Sequence, residues 1–145
     1  MEENMKKKLF KVCLILVFLL ILFNVFISKD DLVIFLTSTI IIDYIMGIYI
    51  AYFLKKSNNS PDGSLNSKAG YLGIMKKVGI LIMVWIGYEI DINFSLDICK
   101  NMITIGYLIN EIISINENLA IIGLKKNTAI KKIITILENL LKEDQ

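Results

Sequence analysis

The sequence contains no arginine and no histidine, one proline (Pro61), one tryptophan (Trp85) and two cysteines, Cys13 and Cys99. Each scarcity removes some chemistry. Without histidine there is no imidazole to move protons near neutral pH. Without arginine there is no guanidinium fork for phosphate or carboxylate, which argues against nucleic-acid partners. The cysteines lack metal-ligand spacing, and there is no P-loop, glycine-rich dinucleotide turn or Ser/His/Asp set. Neither catalysis nor a cofactor nor a metal is implied.

What the chain has is apolar length. Hydrophobic residues make up 55% and charged residues 21%, and mean hydropathy is +0.63. The charge is gathered between apolar runs, the pattern of an integral membrane protein with one compact unit and no room for a second domain.

Leu32–Leu54 is the run around which the rest is arranged. At ~1.5 Å per residue it is roughly 35 Å long, enough for a ~30 Å hydrocarbon core with some tilt. Its Leu, Ile, Phe and Val side chains contribute roughly −4 to −8 kcal/mol to insertion, against about +2.5 to +3.5 for Asp43 near its middle. Thr39, Asp43, Gly47 and Ala51 recur every fourth residue and form a small, polar stripe. Two readings fit it. One is a packing face with Asp43 hydrogen-bonded inside a bundle, the other a carboxylate meeting water in a pore.

Ahead of that run, Lys6–Lys8 precede an apolar stretch over 9–27. It is too long for a signal peptide and has no small-residue cleavage site, so it is expected to be a first transmembrane helix. Ser28–Asp31 is a short turn in which Asp30 or Asp31 caps the second helix. Lys55–Lys77 reads as a basic loop holding Pro61-Asp62-Gly63. The third apolar run is 78–94, with Gly79, Met83 and Gly87 as a close-packing row and Trp85 and Tyr88 suited to the interface.

The run 101–123 carries Glu111 and Glu117, and would insert poorly alone. On a helix, Asn110, Glu111, Ser114, Glu117 and Asn118 share one face, opposite Ile112, Leu119 and Ala120. That face needs partners, water or the membrane surface. Residues 127–145 form a basic tail whose Ile130, Ile133, Ile134, Leu137, Leu140 and Leu141 predict an amphipathic helix from about Asn127 or Thr128. The expected fold is all-α: a membrane domain over 1–126 with four crossings, then this tail. With four crossings, Lys29 and Lys100 alone lie outside. Lys6, Lys7, Lys8, Lys11, Lys55, Lys56, Lys68, Lys76, Lys77, Lys125, Lys126, Lys131, Lys132 and Lys142 lie inside, which supports both termini in the cytoplasm; two crossings plus two surface helices would satisfy the same charge rule.

Two stretches carry a family likeness. The first is Asp43-Tyr-Ile-Met-Gly47 with Ala51, Lys55, Lys56, Ser67 and Gly73-Ile-Met-Lys76-Lys77. The second is Asn110-Glu111-Ile-Ile-Ser114-Ile-Asn116-Glu117-Asn118 followed by Gly123. Over roughly 32–126 the chain resembles the toxin-secretion/phage-lysis holin family. Leu124-Lys125-Lys126 departs from it in lacking the proline usual after that glycine. The resemblance implies a protein of the bacterial cytoplasmic membrane that forms homo-oligomers and opens lesions for an endolysin or a large toxin. An antiholin is a possible further partner. An antiholin-type regulator and a small four-helix cation or drug transporter are the alternatives.

Overall fold

The computed structural model describes residues 30–57, 62–64, 66–124 and 128–143. The expected first helix, 9–27, lies outside the described residues. Those described form four α-helices and no strand: α1 (Asp31–Tyr49), α2 (Ser67–Phe94), α3 (Cys99–Ile122) and α4 (Thr128–Glu143). One wider π-helical turn, Ile50–Leu54, extends α1.

The helix ends are set by local chemistry. Asp30 caps α1, its Oδ1 accepting from the backbone N–H groups of Leu32 (3.1 Å) and Val33 (3.3 Å). Asn66 caps α2 by accepting from the Lys68 N–H at 2.9 Å. No side chain of its own caps α3. Asp91, late in α2, does so across the turn, accepting from the N–H groups of Cys99 and Lys100 at 2.9 Å each. Gly123 ends α3 at φ 102°, with the Gly123 N–H donating to the Ala120 carbonyl and the Leu124 N–H to that of Leu119. A glycine adopts this left-handed conformation without the strain a side chain would add, so it ends the helix there.

One expectation is corrected. The segment expected as a loop up to Lys77 is helical from Ser67 onwards. Asn66 supplies the start signal, and beyond it Tyr71, Leu72, Ile74 and Met75 continue the helix into the apolar run.

α3 is the central element. It packs along both α1 and α2, which touch each other little, and α4 folds back onto it. The Lys100 ammonium donates to the Asp30 carboxylate, joining the starts of α3 and α1. These two helices are therefore parallel, and α2 runs against both. Val33, Leu36 and Ile40 of α1, Leu81 and Val84 of α2, and Leu108 of α3 form the core, with Leu137 of α4 against its edge. Outside it lies a broad apolar surface including Phe35, Ile41, Ile45, Phe53, Met83, Trp85 and Ile86. Asp31–Leu54 and Lys68–Phe94 are long and apolar enough to cross a membrane. In lipid such surface is already solvated, so tight packing and polar contacts, rather than burial from water, select the arrangement.

Candidate functional site: a charged cluster inside the bundle

Most hydroxyls of α1 satisfy themselves. Thr37 Oγ1 donates to the Val33 carbonyl at 2.9 Å and Thr39 Oγ1 to that of Leu36 at 2.7 Å. A carboxylate has no proton to donate that way, so Asp43 must find donors on other helices. It finds two. Lys77 Nζ of α2 donates to Asp43 Oδ2 at 2.8 Å, and Asn118 Nδ2 of α3 donates to Asp43 Oδ1 at 2.9 Å. Lys77 also donates to Glu111 Oε2 on α3. One ammonium thus joins two carboxylates on two helices. The Glu111 side chain is 5% exposed and that of Asp43 11%.

The depth of this cluster follows from helix geometry. Asp43 is thirteen residues beyond Asp30, which at ~1.5 Å per residue is roughly 20 Å from the end where Asp30, Asp91 and Lys100 meet. That is inside a ~30 Å hydrocarbon layer if α1 spans it. Each ion loses several kcal/mol of hydration there, and mutual attraction offsets this only while every partner is present.

The sequence-derived candidates separate. Asp43, Glu111 and Asn118 meet at the cluster. Ala51 is buried further along α1, in the π-helical turn. Gly47 faces open space, with nothing within 4 Å of where a Cβ would stand. Ser114 is half-buried, while Asn110 and Glu117 are exposed on α3. The proposed common face of α3 is therefore divided between inside and outside. Asn116 is buried, and its Oδ1 has no hydrogen-bond partner among the described residues.

Lys77 escaped the sequence reading because it abuts a basic loop and looks like an anchor at its edge. Spacing held the signal. Lys77, Val84 and Asp91 are seven residues apart, with Leu81 four beyond Lys77, and Leu81, Val84 and Asp91 are all buried. One inward stripe of α2 contains them all.

Apolar helices of spanning length around an enclosed ionic cluster define a small helical membrane protein. The sequence profile of the bacteriophage holin family matches residues 20–139, and the chain belongs to that family. An uncharacterized protein of Listeria monocytogenes is 36% identical over 117 residues, covering 80% of this chain and 78% of the relative. One of Listeria innocua is 36% identical over 110 residues, 75% and 73% of the two chains. One of Halalkalibacterium halodurans is 32% identical over 109 residues, 71% and 75%. No solved structure matches the chain.

Proposed function

We propose that this protein opens lesions in the bacterial cytoplasmic membrane through which an endolysin or large protein toxin leaves the cell. The segment 9–27 and helices α1, α2 and α3 cross the bilayer, with both termini in the cytoplasm. The lysine distribution supports this topology. The observation that carries the reading is the Lys77–Asp43–Glu111–Asn118 cluster in a member of the holin family. In a monomer these charges satisfy one another. In a crowded assembly the same groups, turned towards water, line an aqueous path at no greater cost of dehydration.

The test is induced expression beside a cytosolic endolysin lacking any export signal, following culture density and release of a cytosolic reporter. Abrupt lysis that needs both proteins is the expected result. Absence of lysis with the protein present in the membrane overturns the reading and favours an antiholin-type regulator or a small four-helix transporter. Glu111→Leu together with Glu117→Leu should strengthen insertion and abolish permeabilisation. Normal permeabilisation by that double variant would make these carboxylates purely structural.

A further inference from the structure

The tail helix lies deeper than an amphipathic surface helix should. Leu137 of α4 packs against the core formed by Val33, Leu36, Ile40, Leu81, Val84 and Leu108. No member of that core is more than ten residues from Asp30, Asp91 or Lys100, so all lie within roughly 15 Å of the end where those three meet. α4 nevertheless starts at the opposite end, six residues past Ile122, the last residue of α3 and roughly 33 Å from Lys100. It therefore runs back along α3, and Glu138, next to Leu137, stands about midway along the ~36 Å of Asp31–Leu54. This depth is fixed by α1 and α2, the two helices of spanning length, and does not depend on whether α3 crosses.

Around its axis α4 is divided into sectors. Ile130, Ile134, Leu137 and Leu141 fall within roughly 60° and are half-buried against the bundle. Ile133, Ile136 and Leu140 occupy a neighbouring arc of roughly 60° and are exposed. Lys131, Lys132, Thr135, Glu138, Asn139 and Lys142 fill an arc of about 120° on the other side, all of them exposed. Lys131 and Lys132 can reach the nearer membrane surface with their long stems. Glu138 cannot, because its side chain is short and stands near mid-depth, and Lys142 is one turn deeper still. A charge at such depth faces a bundle interior or water. The polar arc of α4 faces away from the bundle, which leaves water.

We propose that the polar face of α4 is a wall of the aqueous path through the membrane, with its packed sector on α3 and its Ile133, Ile136 and Leu140 flank against lipid. The Lys77–Asp43–Glu111–Asn118 cluster satisfies itself until its helices move. The face of α4 needs water without any rearrangement. Lys131, Glu138 and Lys142 lie within about 40° of one another, so the wall carries a row of alternating charge. A row of mixed sign does not select solutes by charge as a ring of one sign does. Calling this path a lesion rests on the proposed function; the wet, deep placement of α4 does not.

The test uses the full chain in lipid vesicles, with Cys13→Ser and Cys99→Ser as background and single cysteines replacing Ile136, Glu138, Leu140 or Lys142. Glu138→Cys and Lys142→Cys should react with a charged, water-soluble thiosulfonate about tenfold faster than Ile136→Cys and Leu140→Cys, because the reactive thiolate forms only in water. Bimane attached to Ile136→Cys should be quenched more by nitroxides near the acyl-chain ends than by nitroxides at the headgroups. A helix lying on the membrane surface gives the same reactivity pattern but headgroup quenching, and that overturns the proposal. Slow reaction at all four positions, as when lipid or a second copy covers the polar face, overturns it too. Glu138→Leu together with Lys142→Leu, checked for insertion by the same quenching, should abolish release of a vesicle-trapped dye. Unchanged release by that variant takes α4 off the path. Wild-type vesicles that release no dye, with depth and reactivity as expected, count against the lesion and leave the wet placement of α4 standing.

Discussion

At the scale of single residues, Lys77 decides the most. Among the described residues its ammonium is the one cation shared by Asp43 and Glu111. Replacing it by methionine keeps the stem's volume but strands two buried carboxylates, which costs about 3–5 kcal/mol. Thermal unfolding in detergent should show Lys77→Met strongly destabilised. Adding Asp43→Asn and Glu111→Gln should recover most of the loss, because the amides need no counter-ion. A Lys77→Met protein as stable as the wild type would mean that the cluster contributes nothing to folding. Asp43 was legible as an inward group because a carboxylate amid Ile and Tyr has few other places to go. Its partner was not, since a lysine beside four others at a loop edge carries no mark of direction until the register of α2 is known. Glu111 and Glu117 show the same limit. Both belong to one polar face of α3 by rotation, yet among the described residues only Glu111 meets a cation, because the split depends on where α1 and α2 lie around α3.

At the scale of elements, two glycines of similar appearance have opposite roles. A Cβ on Gly87 would stand 2.9 Å from Ile103 Cδ1 and 3.0 Å from the Lys100 Cα. The side chain could yield but the backbone could not, so α2 and the start of α3 would have to part. Gly87→Ala should cost about 1–3 kcal/mol by overpacking. Gly47→Ala, with open space around it, should gain up to about 1 kcal/mol of helix propensity. Paired melting curves of the two variants test this, and equal shifts would refute it. The periodicity of 78–94 marked Gly87 as a packing position, and that of 32–54 marked Gly47 equally. Spacing cannot tell which glycine has a neighbour. A second device joins elements at the other end of α1. Partial burial alone would raise the Asp30 carboxyl. The hydrogen bond from Lys100, the Val33 N–H, the Lys100 charge and the Leu32 N–H outweigh it and hold the group below its ordinary 3.8. A lowered carboxylate stabilises the fold fully above its unfolded value, and loses that contribution as pH falls through the folded one. Wild-type melting temperature should therefore fall below about pH 4 more steeply than that of Asp30→Asn. Parallel curves for the two proteins would remove Asp30 from the acid response.

For the whole molecule, the helix directions and the charge distribution constrain each other. α1 and α3 run parallel and α2 against them, so the α2–α3 turn and the Asp30 cap share one end. The end of the π-helical turn, the start of α2 and the start of α4 share the other. Composition and apolar runs made the all-helical architecture and its membrane character legible, along with the amphipathic tail beginning at Thr128. They did not show that α4 would return to α3. Ile130, Ile134, Leu137 and Leu141 are half-buried, whereas Ile133, Ile136 and Leu140 stay exposed. One apolar face thus serves both the bundle and its surroundings, a division that periodicity cannot contain. If all four segments cross, the lysine distribution puts the α2–α3 turn outside the cell. Ser95 is exposed in that turn and Asn66 is exposed at the opposite end of α2. In a Cys13→Ser, Cys99→Ser background, a membrane-impermeant maleimide added to intact cells should label Ser95→Cys and not Asn66→Cys. Asn66→Cys should react only after the membrane is opened. The ends are separated by the length of α2, roughly 40 Å at ~1.5 Å per residue, so partial exposure of both from one side is not a geometry this bundle permits if α2 spans. The reverse pattern would invert the topology and put the lysine-rich segments outside. Labelling of both sites in intact cells would mean that α2 lies along one surface, and the internal charge cluster would then hold together a peripheral helical unit rather than a spanning one.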